Sequence, residues 1–136
     1  MRFLEELENA ILDENFYKTN EVIEKIRENE NAFEYLNHLF TILENNPDVD
    51  YGMPGPVVHF MEMFYKKGYE ELLLESVRRK PTNHTVWMVN RIMNVPNLDN
   101  KDKYMKILKS LLSRDDISES LREEIITFLN YGISQK

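Results

Sequence analysis

The chain of 136 residues contains no cysteine, and this absence removes several kinds of chemistry at once. Disulfide bonds, thiolate zinc sites, iron–sulfur clusters and a cysteine nucleophile are all excluded. A chain without cysteine suits a reducing compartment, so we expect a cytoplasmic protein. The N-terminal segment MRFLEELENAILDENFY has acidic residues throughout and no apolar run of seven or more residues. We therefore expect neither a signal peptide nor a membrane span there.

Motifs for phosphate binding and for nucleophilic catalysis are also missing. The glycines of GMPGP match neither the P-loop nor the dinucleotide fingerprint, and no Gly-x-Ser-x-Gly is present. Adjacent acids such as Glu70 and Glu71 diverge on a helix, so they indicate solvated faces rather than acid–base pairs. We predict no catalytic residue, no cofactor and no enzyme activity.

Acidic residues are distributed unevenly along the chain, whose formal net charge is −7. Residues 1–50 contain thirteen acidic and four basic side chains, whereas residues 51–136 contain eleven and thirteen. An acidic surface repels the phosphates of nucleic acids and accelerates the encounter with a basic protein. We therefore expect a protein partner, with no nucleic-acid and no membrane partner. A merely solvated set of helix faces is the alternative explanation.

Helical periodicity runs through almost the whole chain, and no segment alternates with a period of two for long enough to predict a strand. Apolar residues recur at helical spacing within residues 3–12, 22–26, 32–43, 57–64, 69–80, 86–93, 104–112 and 121–129. Thr19 or Asn20 is expected to cap the second helix, Thr82 the sixth, and Ser120 with Glu123 the last.

The connections between these helices are short, which forces successive helices to turn back on each other. We predict a single all-α domain over residues 1–136, built from stacked antiparallel helical hairpins like a small HEAT or armadillo solenoid. An irregular helical bundle is the alternative.

The stretch DYGMPGPVVHFMEMFYKKG, residues 50–68, places two prolines and two glycines directly before an apolar run. Pro56 suits the first turn of a helix, because its ring fixes φ and it has no N–H to leave unpaired. We predict that a helix starts here, with Pro54 or Gly55 just outside it, and that Gly68 ends it.

His59 and Glu62 lie three residues apart on this predicted helix, a spacing that can bring an imidazole and a carboxylate to one metal ion. No second pair of ligands accompanies them, and His59 lies beside the apolar stripe. We therefore predict no metal site and a hydrogen-bonded structural role for His59. A metal-dependent hydrolase that uses these two residues is kept as an alternative.

Residues 52–94 carry a more specific pattern of prolines, histidines, asparagines and arginines around one tryptophan. The pattern consists of Pro54, Gly55, Pro56, His59, Glu62, Tyr69, Ser76, Arg79, Pro81, Thr82, His84, Thr85, Trp87, Asn90, Arg91 and Asn94. This segment, about a third of the chain, resembles a family of small helical immunity proteins from bacterial polymorphic-toxin and contact-dependent growth inhibition loci. The resemblance implies a cytosolic antidote that binds a cognate toxin domain and has no chemistry of its own. Many such toxins are nucleases, whose substrate sites are basic.

Partner specificity is expected in residues 1–51, because toxin and antidote diverge together whereas the shared scaffold need not. The acids of this region that we predict to bind the toxin and block its active site are Glu5, Asp13, Glu21, Glu24, Glu28, Asp48 and Asp50. Two alternatives stay open. The chain could be a helical-repeat adaptor for another protein, or the segment from Arg78 to Arg91 could itself be the binding surface, since Trp and Arg are frequent hot-spot residues.

Overall fold

A computed structural model describes residues 1–134 of the chain, with side chains through residue 131. Within this range the chain forms eight α-helices and no strand, so the all-α prediction is confirmed. The helices are α1 (Leu4–Leu12), α2 (Phe16–Asn29), α3 (Tyr35–Asn45), α4 (Gly55–Glu62), α5 (Tyr69–Arg79), α6 (Asn83–Met93), α7 (Lys101–Leu111) and α8 (Glu119–Ser134). A 3-10 turn at Ala32–Glu34 leads into α3.

The chain divides into two compact units, residues 1–72 and residues 73 onward. In the first unit, α1 packs against α2 and α3, and α2 packs against α4. The core of this unit is aliphatic and aromatic, and its most deeply buried side chains include Leu7, Val22, Ile26, Tyr35, Leu36, Leu39, Phe40, Leu43, Val58 and Met61. The Tyr35 hydroxyl donates to Glu30 Oε1 at 3.1 Å and accepts from the Phe3 N–H at 3.2 Å, which ties the start of α1 to the end of α2.

In the second unit, α6 packs against α7 and α8, and α7 packs against α8. Its core is again built from the apolar stripes of the helices, with Leu73, Val77, Val86, Met88, Val89, Leu108, Leu111 and Ile125 fully or almost fully buried. The α7–α8 connection is held by Arg122, whose guanidinium donates to the carbonyl oxygens of Leu112 at 2.6 Å and Arg114 at 3.2 Å. These bonds satisfy carbonyl groups that the end of α7 leaves without a helical partner.

The stretch at residues 50–68 starts a helix, as predicted, but the helix is shorter than the apolar pattern indicates. Pro56 lies in the first turn of α4. Of the two residues expected just outside the helix, Pro54 is its N-cap, as predicted, whereas Gly55 is the first helical residue. The prediction that Gly68 ends this helix is wrong, because α4 ends at Glu62 and residues 63–68 form turns. Lys66 has a positive φ of 64°, a left-handed conformation through which a right-handed helix does not continue.

Helix caps agree with the sequence patterns in one place and differ in two. Thr82 caps α6 as predicted, in a capping box with Thr85. The cap of α2 is Asn15, whose side chain accepts from the Lys18 N–H at 2.9 Å, so the predicted cap at Thr19 or Asn20 is wrong. Thr19 lies inside the helix, where its hydroxyl donates to the Asn15 carbonyl oxygen at 2.8 Å.

The N-terminal cap of the last helix lies two residues earlier than predicted. Its N-terminal cap is Ser118, whose Oγ accepts from the Leu121 N–H at 3.0 Å, and Ser120 is an exposed residue of the first turn. Both serines are compatible with a helix start in the sequence. The register is fixed by burial of Leu121 and Ile125, which places Ser118 three residues before the first buried position.

This difference gives a matched pair of serine variants. Ser118→Ala removes the side-chain acceptor at the helix start and should lower the free energy of unfolding by about 1 kcal/mol. Ser120→Ala should change it by less than about 0.5 kcal/mol, since this side chain is exposed and caps nothing. Urea unfolding of the two variants and the wild type measures both values. A larger loss for Ser120→Ala than for Ser118→Ala would show that Ser120 caps the helix, as the sequence predicted.

Gly52 and Gly55 shape the loop before α4, and both have positive φ values, of 89° and 74°. A Cβ added at Gly52 would lie 2.6 Å from the Gly55 Cα, whereas a Cβ at Gly55 would meet no atom within 4 Å. The first position therefore needs glycine for space as well as for conformation. The second needs it for conformation alone.

The two glycines allow these costs to be separated by substitution. Gly55→Ala should destabilise the protein by about 1–2 kcal/mol, the ordinary cost of a left-handed conformation for an L-residue. Gly52→Ala should cost more than about 2 kcal/mol, because the backbone must also move apart. Urea unfolding measures both losses, from the shift in midpoint at an unchanged slope. Equal losses in the two variants would contradict the prediction that Gly52→Ala is the more destabilising.

Candidate protein-binding surface

All seven acids predicted to bind a partner are exposed to solvent. Three of them, Glu21, Glu24 and Glu28, lie on α2, and Glu5 lies in the first turn of α1. The other three lie in connections of the first unit, with Asp13 directly after α1 and Asp48 and Asp50 between α3 and α4, so the structure brings the seven to several places in this unit.

One face of α2 forms a continuous stripe that the sequence prediction identified only in part. Tyr17, Glu21, Glu24 and Glu28 are spaced by four, three and four residues, which places them on a single face of the helix. The buried residues of α2 occupy the opposite face: Thr19, Val22, Ile23 and Ile26. Tyr17 is 82% exposed, so a large aromatic ring stands at the N-terminal end of a row of carboxylates.

Cations border this stripe and are themselves held by carboxylates. Lys18 Nζ lies 3.2 Å from Glu6 Oε1 and 3.1 Å from Glu21 Oε1, and Lys25 Nζ lies 3.3 Å from the same Glu6 oxygen. Hydrogen bonds from the two lysines lower the pKa of Glu6, and the bond to Glu21 raises the pKa of Lys18. Exposed pairs of this kind contribute little to stability. Their effect here is to hold both lysines along the border with α1.

The predicted acids differ in how far they are already neutralised within the chain. Glu24 Oε1 pairs with Arg27 at 3.0 Å, and Glu21 pairs with Lys18. No ion pair is found for Glu5, Asp13, Glu28 or Asp48 within the part of the chain that the structure describes. These four carboxylates are therefore available to a cationic partner without the loss of an internal contact.

The turn between α1 and α2 is fastened to the loop that precedes α4. Glu14 has a positive φ of 56°, and its Oε2 accepts from the Asp50 N–H at 2.6 Å. Asp50 Oδ1 in turn accepts from the Gly52 N–H at 2.9 Å. The Tyr51 hydroxyl donates to the Asn46 carbonyl oxygen at 2.7 Å, and burial raises its pKa well above the ordinary value, so it stays a donor. Asp50 thus positions the loop, a role that the sequence prediction did not include.

The end of α1, the first residues of α2 and the loop before α4 contain exposed apolar side chains. Met53 is 79% exposed, almost as much as Tyr17, and Leu12 and Phe16 are each about two-fifths exposed. Phe16, Asp50 and Pro56 line the same small cavity, which confirms that the turn and the loop meet. We define the tip surface as the set Leu12, Asp13, Phe16, Tyr17, Asp48, Asp50 and Met53.

The apolar members of the tip surface were not predicted from the sequence. Tyr17 could have been found, because it lies opposite Val22 and Ile26 on the helical wheel and so cannot share their buried face. Met53 could not, since its exposure follows from the path of a loop that no periodicity describes.

The alternative metal site finds no support in the described residues. No group of three or more His, Asp or Glu side chains within residues 1–131 is arranged to hold a metal ion. His59 is exposed and makes no hydrogen bond to any described residue, so its predicted role as a hydrogen-bonded structural histidine is wrong. The apolar stripe of α4 turns Val57, Val58, Phe60 and Met61 inward and leaves His59 on the outer face.

The segment from Arg78 to Arg91, the alternative binding surface, contains a half-buried tryptophan. The Trp87 ring lies 5.2 Å from the His84 ring, and the Arg91 guanidinium lies 5.2 Å from the Trp87 ring centre. All three residues belong to α6, at spacings of three and four. The Trp87 ring is therefore partly covered by its own helix, whereas Tyr17 of the tip surface is 82% exposed.

Comparisons with protein-family profiles, with curated protein sequences and with solved structures find no match to this chain. Among the described helices, none combines the length and the apolar character needed to cross a bilayer.

The exposed aromatic residues of the tip surface differ in what they contribute to stability. Tyr17→Ala should change the free energy of unfolding by less than about 0.5 kcal/mol, because the ring is almost fully solvated. Phe16→Ala should cost about 1 kcal/mol or more, because part of that ring covers the cavity beside Ile11. Thermal or urea unfolding measures both. A large loss for Tyr17→Ala would mean that this ring serves the fold.

Proposed function

We propose that this chain is a bacterial immunity protein of a polymorphic-toxin or contact-dependent growth inhibition system, which acts in the cytoplasm. In this proposal it binds a basic, nuclease-type toxin domain through the tip surface and the acidic stripe of α2, and it covers the active site of that domain. The observation that carries the proposal is the aromatic ring of Tyr17 at the end of a row of exposed carboxylates. The likeness of residues 52–94 to helical immunity proteins supports the same conclusion.

Charge supports a basic partner. The first unit contains sixteen acidic and six basic side chains, whereas the rest of the chain contains eight and eleven. Such an excess on one unit attracts a cationic surface over a Debye length of about 8 Å at physiological salt and raises the association rate. A nuclease cleft that binds phosphates offers a surface of this kind.

The mixture of side chains supports binding without chemistry. Stable interfaces combine a few desolvated aromatic or methionine anchors with a polar rim. Tyr17, Phe16 and Met53 provide such anchors, and Asp13 and Asp48 provide charged groups at their border. Glu14 and Gly52 hold the supporting loop, so the anchors stand on a positioned backbone.

We also propose that the helices stack as HEAT-like hairpins. Within the first unit α2 contacts both α1 and α4, and within the second α8 contacts both α7 and α6. Contacts to the next helix and to the next but one are those that a stack of helical hairpins produces. An irregular bundle would produce them less regularly.

The test uses the C-terminal domain encoded by a large toxin gene directly upstream, if one is present, as the partner. The double variant Glu24→Lys with Glu28→Lys reverses two charges of the stripe, and it should slow association at low salt by about tenfold or more. Its matched control is Glu71→Lys with Glu75→Lys, which reverses two exposed charges on α5 and should associate like the wild type. Stopped-flow binding against ionic strength measures the rates, and growth of toxin-producing cells measures protection.

Tyr17→Ala distinguishes the contribution of the aromatic anchor to binding from the contribution of the charges. This variant should keep the association rate but dissociate faster by about tenfold or more, because hot-spot contacts act mainly on dissociation. A stripe variant that binds and protects like the wild type would refute the proposed surface. Binding to some other protein, with no toxin gene nearby and no protection, would favour the adaptor instead.

A further inference from the structure

A second surface, of opposite charge, lies in the unit that begins at residue 73. It is a groove of about 930 Å³ between α7, α8 and the C-terminal end of α5. Its floor is apolar and is formed by Met105, Ile107, Leu112, Ile126 and Leu129. Ile126 is 43% exposed, although Leu121 and Ile125 of the same helix are buried. The groove therefore keeps apolar side chains in contact with solvent.

The rim of the groove is cationic. Arg78, Lys103, Lys106 and Lys109 line it, and the single acidic side chain among the lining residues is Asp102. No ion pair engages any of the four cations within the part of the chain that the structure describes. In a chain with a net charge of −7, four unpaired cations around one apolar groove mark a local reversal of sign.

We propose that this groove binds an acidic amphipathic helix of a partner protein. Lys103, Lys106 and Lys109 follow one another at intervals of three residues along α7, which corresponds to about 4.5 Å per step. On a helix lying along α7, acidic residues at positions i, i+3 or i+4, and i+7 would recur with nearly the same spacing as these lysines. Its apolar stripe would cover Ile126 and Leu129 while its carboxylates met the lysines, as in helix-in-groove recognition.

The row of cations favours a helix over other anionic ligands. A fatty acid has one carboxylate and would use one end of the row, leaving the remaining lysines unpaired. A nucleic acid would engage the lysines through phosphates, but it would leave Met105, Ile126 and Leu129 uncovered or facing a charged backbone. A peptide helix alone satisfies both the charged rim and the apolar floor.

This inference is independent of the proposed immunity function. It concerns another unit, another set of residues and a partner of opposite charge, so a toxin that binds the acidic stripe does not compete for the same chemistry. The experiment below needs no toxin, and its failure leaves the proposed function untouched.

The probe is a synthetic peptide of about 18 residues, five helical turns, with leucines on one face and glutamates on its borders. It is titrated into the full chain, with fluorescence anisotropy for affinity and amide chemical shifts for location. The wild type should bind it, with the largest shifts in α7 and α8. The same peptide with lysine in place of every glutamate should not bind.

Two pairs of variants test the rim and the floor. Lys106→Glu should weaken binding by about tenfold or more, whereas Lys80→Glu, the same charge change at an exposed residue outside the groove, should not. Ile126→Glu should weaken binding similarly, whereas Met63→Glu, an exposed apolar residue of the other unit, should not. Both groove positions are exposed, and circular dichroism checks that the variants keep their helical content.

Several outcomes would overturn the proposal. One is no binding at about 1 mM peptide. Another is binding that Lys106→Glu leaves unchanged, or chemical shifts centred on α2 instead of α7 and α8. Tighter binding of a short DNA duplex or of dodecanoate to the same residues would assign the groove to a nucleic acid or to an acyl ligand.

Discussion

The structure depends on the burial of one apolar stripe per helix. The described helices run from 8 residues in α4 to 16 in α8, lengths at which an isolated helix is marginal in water or barely stable. Each therefore needs a neighbour against its apolar face, and the buried side chains of both units form two such cores. The residues on the outer faces of the helices take no part in these cores. It is on these faces that the acidic stripe of α2 and the cationic rim of α7 lie.

Charge is distributed along the chain so that each unit has its own electrostatic character. In the first unit, Lys18 and Lys25 of α2 both pair with Glu6 of α1, and Lys18 also pairs with Glu21, whereas Glu28 at the far end of the stripe has no ion pair among the described residues. In the second, Lys103, Lys106 and Lys109 have no internal acid to neutralise them among the described residues. One chain thus offers two surfaces of opposite sign, and each combines charge with solvated apolar side chains. This combination is typical of binding surfaces, where charge guides the encounter and apolar contact retains the partner.

Helix positions could be read from the sequence to within a few residues, because local periodicity and capping chemistry set them. Thr82 was found as a cap because its pattern stands immediately before an apolar run. Ser118 was missed because Ser120 offers an equally good pattern two residues later, and only the burial of Leu121 distinguishes them. His59 was misplaced for a related reason: it is next to buried residues in the sequence, but one step around a helix moves a side chain by about 100°.

The sequence by itself determined that the chain is helical, where most helices lie and which third carries the negative charge, since all of these depend on neighbouring residues and on composition. Tertiary structure alone decided which exposed groups stand together. Glu14 and Asp50 are 36 positions apart, yet their hydrogen bond joins the α1–α2 turn to the loop before α4 and brings Phe16 beside Pro56. The groove likewise needs Arg78, Lys106 and Leu129 from three helices. Such meetings follow from the packing of several helices against one another, and no local pattern in the chain encodes them.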